Sequence, residues 1–121
     1  MKAIFGICLL MASVARPVNA GQQLTLYVTP AQSFAPSFLM VRARIEPRAA
    51  NRVLRIVADG EDYYRSSEIA LDGEAAPRVI QMPFRNVPGG RYDVYAVLTD
   101  GSGRERAVAH QLATVISPVS Y

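Results

Sequence analysis

Apolar side chains return at every second position in seven short segments, ten to fifteen residues apart, and this period constrains the fold more than any other feature of the chain. Leu24 to Thr29 sets Leu24, Leu26 and Val28 against Thr25, Tyr27 and Thr29, and Leu39 to Ile45 sets Leu39, Val41, Ala43 and Ile45 against Met40, Arg42 and Arg44. Val53 to Ala58 places Leu54, Ile56 and Ala58 on one side and Val53, Arg55 and Val57 on the other. Ser67 to Asp72 carries Ile69 and Leu71, and Arg78 to Phe84 carries Ile80, Met82 and Phe84, with Pro83 marking an edge or a bulge. Arg91 to Thr99 opposes Tyr92, Val94, Ala96 and Leu98 to Asp93, Tyr95, Val97 and Thr99. The last segment, Arg106 to Ile116, reads as ambiguous in its alternation, with alanines filling both faces.

Beyond residue 20, no window of eleven or more residues keeps an apolar face at helical spacing, so helix content is expected to be minimal. Strands with one apolar face each hide those faces by stacking two sheets. The expected fold is all-β: a seven-stranded antiparallel sandwich in a single domain, because 121 residues leave room for one.

Residues 1–20 are set apart. Lys2 precedes an apolar run from Ala3 to Ala15, followed by Arg16, Pro17, Val18, Asn19 and Ala20, the order of a secretory signal peptide with Val18 and Ala20 at the −3 and −1 positions of the cut. The run is too short for a stable transmembrane helix, and no later stretch approaches the necessary ~20 residues. Cleavage leaves residues 21–121, eleven arginines against ten carboxylates, and no cysteine. The net charge then falls from +3 to +1, which argues against nucleic-acid binding and against a membrane-inserted mature form. A secreted or periplasmic location is expected, with stability resting on the core rather than on a disulfide.

The stretch Asn86-Val87-Pro88-Gly89-Gly90-Arg91-Tyr92-Asp93-Val94-Tyr95-Ala96-Val97-Leu98, followed by Asp100-Gly101-Ser102-Gly103, resembles the corner between the fifth and sixth strands of fibronectin type III and related immunoglobulin-like domains. The resemblance implies an immunoglobulin-like sandwich in which Tyr92 buries its ring and returns its hydroxyl to the loop backbone, a tyrosine corner. The chain departs from the antibody-type pattern, having no cysteine pair and no tryptophan. Such a likeness implies a fold and no particular ligand.

Catalytic chemistry finds little support. His110 is the only histidine and has no serine and aspartate set beside it by any motif, so a structural or surface role is expected and no catalytic residue is assigned. Asp59, Glu61 and Asp62, and likewise Asp72 and Glu74, cluster near Asp-Gly pairs; turn formation explains them better than a calcium loop, and neither metal nor cofactor is expected. Arg42 and Arg44 read as solvated strand charges that discourage edge pairing.

The third and sixth segments are neighbours in this class of sandwich, which would set Val53, Arg55 and Val57 beside Asp93, Tyr95 and Val97 on an outward face. Arg55, Val57, Tyr95, Val97 and Tyr64 are therefore the candidate binding residues. Two accounts fit this patch: a face for a partner, or a surface covered by Tyr63-Tyr64-Arg65 or by a second copy. Tyr63 and Tyr64 should point opposite ways, one into the core and one outward, where it could stack on a sugar ring. The expected function is an exported, non-enzymatic module that binds a protein, or alternatively a glycan, through a sheet face; a structural subunit of an envelope or surface assembly is the second possibility.

Overall fold

The computed structural model describes residues 23–118; the leader expected at 1–20 lies outside the described residues. Eight strands follow one another: β1 (Leu24–Thr29), β2 (Gln32–Phe34), β3 (Ser37–Ile45), β4 (Val53–Asp59), β5 (Tyr64–Ala70), β6 (Val79–Val87), β7 (Gly90–Thr99) and β8 (Glu105–Ile116). They form a three-stranded sheet in the order β1-β3-β6 and a five-stranded sheet in the order β2-β8-β7-β4-β5. The two sheets make an immunoglobulin-like sandwich. A 3₁₀ turn, Gly73–Ala75, lies between β5 and β6, and among the described residues no helix is long and apolar enough to cross a membrane.

Alternation produces this layering directly. The inward positions of the paired strands, among them Leu26, Val41, Leu54, Ile56, Phe84, Val94 and Leu98, form one buried cluster between the sheets. The seven expected segments become eight because Gln32–Phe34 adds a short strand, paired parallel to β8 at Thr114–Ile116. Pro30 and Pro36 flank β2 and, lacking an N–H, limit it to three residues. The strand expected at Ser67 to Asp72 instead spans Tyr64–Ala70, with Leu71 buried just beyond it and Asp72-Gly73 leading into the 3₁₀ turn. Pro83 does lie on an edge strand, β6. A bulge in the same strand sets Arg85 and Asn86 against Phe38 alone, and Asn86 takes φ 54° there.

Tyr92 locks β7 to its surroundings. Its ring is buried, meets Tyr63 edge-on with centroids 5.7 Å apart, and its hydroxyl donates to the Pro88 carbonyl oxygen at 2.6 Å. A Cβ at Gly60 would collide with this ring, so the glycine of the β4–β5 turn is required by close approach. Gly90, beside the Tyr92 hydroxyl, holds φ 153°, open chiefly to glycine. At the other end of β7, Asp100 Oδ1 accepts hydrogen bonds from the Ser102 backbone N–H and hydroxyl and from the Arg104 N–H, closing the turn into β8. These bonds, the Ser102 hydroxyl foremost, hold the Asp100 carboxyl below its ordinary range.

Tyr92→Phe should lower unfolding free energy by about 1–3 kcal/mol, because it leaves the Pro88 carbonyl without its partner; urea titration measures it. Burial, then the nearby Tyr63 and Asp62, raise the Tyr92 pKa above its ordinary 10.0. The bond therefore contributes fully below pH 10 and is lost as pH rises through the folded-state value. Alkaline titration of stability should accordingly show a steeper fall in wild type than in Tyr92→Phe.

Candidate functional site

The outer face of the five-stranded sheet gathers the sequence candidates because β4 lies between β5 and β7 in register. Val57 stands opposite Tyr95 on one side and Ser66 on the other, and Arg55 opposite Val97 and Glu68. Tyr64, one step along β5, stands opposite Asp59. Arg55, Val57, Tyr95, Val97 and Tyr64 thus share one face.

They do not share one exposure. Tyr64 is 55% exposed and Tyr95 and Arg55 are half-buried, but Val57 is 0% and Val97 6% exposed. The expectation that both valines present contact surface is corrected. Tyr64 on β5 and Tyr95 on β7 flank β4, the strand that carries Val57. Burial first, then the Tyr64 phenol, raise the Tyr95 pKa, with Arg55 opposing. Val57 and Val97 are the floor of the face, and the long side chains are its surface. Tyr63 and Tyr64 point opposite ways as alternation requires, Tyr63 against Tyr92 and Tyr64 outward.

β8 contributes what sequence reasoning missed. Its alanines all fall on the inward side, where Ala107, Ala109 and Ala113 stand opposite Leu98, Ala96 and Tyr92. A phenol ring opposite position 113 leaves space for little more than a methyl group. Of the larger apolar residues of β8, Val115, opposite Gly90, is buried, whereas Val108 is 41%, Leu112 74% and Ile116 43% exposed on the outward side. Phe34 of β2 pairs with Ile116 and is exposed as well. Registering the alanines as one row, rather than as dilution of both, would have revealed this inversion.

Between Tyr95 and Leu112 lies His110, whose ring sits 5.4 Å from that of Tyr95 and whose Nδ1 is 3.0 Å from Asp93 Oδ1. Both members of the pair are exposed, which fits a surface histidine. Beside Leu112 an open cavity of about 490 Å³ is lined by Asp59, Glu61, Arg91, Tyr92 and Asp93 among others. The acidic turn at 59–62 borders it, yet no group of three or more His, Cys, Asp or Glu among the described residues is placed to hold a metal ion.

No protein-family model and no curated protein matches the chain. Solved structures do. A superoxide reductase (neelaredoxin) from Ignicoccus hospitalis superposes with a TM-score of 0.52 at 12% identity, covering 78% of this chain and 80% of that one. A CARDB domain from Pyrococcus furiosus, solved with di-metal ions, superposes with a TM-score of 0.51 at 11% identity, covering 79% and 93%. At such identities the likeness is one of fold.

Floor and surface should separate by stability. Val57→Ala is expected to cost about 1–3 kcal/mol, and Leu112→Ala to stay within about 0.5 kcal/mol of wild type, in chemical denaturation.

Proposed function

We propose that the chain is an exported, non-enzymatic interaction module of fibronectin type III-like build, which recognises a protein partner through the outer face of the five-stranded sheet. The single observation that carries this reading is the inversion of β8, which spends its large apolar side chains on solvent at Val108, Leu112 and Ile116. These side chains alternate with His110 and Thr114 on the outer face of β8, and a face that mixes exposed apolar, aromatic and polar groups has the make-up of a protein interface. Tyr95 on the adjacent β7, and Arg55 and Tyr64 farther along the same face on β4 and β5, are residue types that carry much of the energy at protein interfaces. A glycan is the lesser occupant, because Tyr64 offers one exposed ring and Tyr63 is turned inward. Export rests on the signal-peptide pattern of residues 1–20.

Leu112→Glu places a charge at the most exposed apolar position without touching the floor. In affinity capture from envelope and culture fractions of the source organism, wild type should retain a protein that Leu112→Glu loses, the two having equal melting temperatures. Equal capture by both, or retention of polysaccharide alone, contradicts this function. Concentration-dependent ladders of the purified chain would instead favour the assembly subunit.

A further inference from the structure

The opposite face of the sandwich carries a separate chemistry. The strands of the three-stranded sheet, β1, β3 and β6, contain three arginines and no carboxylate, whereas those of the five-stranded sheet carry four of each. Arg42, Arg44 and Arg85 all point outward: Arg42 stands between Tyr27 and Gln81, Arg44 between Thr25 and Val79, and Arg85 lies over the Phe38 ring at 5.3 Å. Among the described residues none of the three has a carboxylate within ion-pair distance. Glu46, just past β3, is the one acidic side chain at the rim, where it lines a small cavity with Arg44 and Arg78.

Edge protection does not account for this row. β3 is the central strand of its sheet, paired on both sides, so Arg42 and Arg44 guard no free edge. Beside them a groove of about 310 Å³ is lined by Tyr27, Pro30, Phe38, Met40 and Arg42. The half-exposed Tyr27 ring offers a flat apolar surface next to two arginines whose backbone positions lie about 7 Å apart along β3.

We propose that the outer face of the three-stranded sheet binds a carboxylated polysaccharide, with Arg42, Arg44 and Arg85 meeting its carboxylates and Tyr27 its sugar rings. Guanidinium groups match carboxylates in two-pronged geometry, and the contact of Arg85 with Phe38 fixes that fork before binding. A polysaccharide suits the site better than the other polyanions. Three cations are few for a nucleic acid, whose binding in a near-neutral protein needs a denser positive surface. Phe38 is half-exposed and carries the Arg85 guanidinium over its ring, a charge that a lipid-entering aromatic would have to shed.

Binding of the full chain to polygalacturonate oligomers is measured by calorimetry at low salt, with dextran, anionic phospholipid vesicles and single-stranded DNA as comparators. Arg42→Glu/Arg44→Glu should weaken polygalacturonate binding at least about tenfold, and added salt should weaken the wild-type complex. Arg65→Glu/Arg104→Glu changes the net charge equally at exposed positions away from this face and should leave binding within about twofold. Arg42→Gln/Arg44→Gln gives the same readout should charge reversal unfold the chain, and circular dichroism certifies each variant. Absence of polygalacturonate binding, equal loss in both charge-reversed pairs, or tighter binding to vesicles or DNA overturns the proposal. Leu112→Glu should not alter polygalacturonate binding, so failure here is separable from failure of the protein-recognition face.

Discussion

The burial of one phenol sets the rest of the structure. Tyr92 fills the space at the end of the sandwich between the β4–β5 turn and the β6–β7 loop, touching Tyr63, excluding a side chain at Gly60 and binding the Pro88 carbonyl. Because residues alternate along β7, an inward Tyr92 fixes Asp93, Tyr95 and Val97 as outward. Because β7 pairs with β8 through Tyr92 and Ala113, it also fixes which residues of β8 can face the core. The consequence is a volume exchange: a large ring inward on one strand, a methyl group opposite, and Val108, Leu112 and Ile116 of β8 on the surface.

A second tie closes the side of the sandwich. The Gln111 side chain, inward on β8, donates to the Val28 carbonyl and accepts from the Val28 N–H, each at 3.3 Å. A polar residue in an otherwise apolar row thus satisfies the free edge of β1 as a neighbouring strand would. The scaffold presents two faces of different chemistry, one with apolar, aromatic and histidine groups, one cationic with an aromatic groove.

Much of the architecture was legible in the sequence because its cause is local. The period-two pattern located Leu24–Thr29 without error and β3, β4, β6 and β7 within a few residues, and the Pro-Gly-Gly-Arg-Tyr stretch forecast the Tyr92 hydroxyl bond. What escaped depends on relations between strands. β2 is three residues held by partners eighty positions away, too short to show a period. Val57 and Val97 are outward by parity yet buried, and such burial depends on neighbouring strands, which no single-strand pattern records. The inversion of β8 follows from what lies opposite each alanine, and the absence of any edge at Arg42 follows from sheet order.

Thiol accessibility along β8 tests the central relation, that Tyr92 turns the large apolar residues outward. In a Cys8→Ser background, which removes the only native thiol, single cysteines at positions 108, 110 and 112 should react with a maleimide at rates near those of an unfolded peptide. Cysteines at 113 and 115 should be protected by orders of magnitude until the chain is unfolded. Protection at 108 and 112 with reactivity at 113, or uniform rates along the strand, would contradict it.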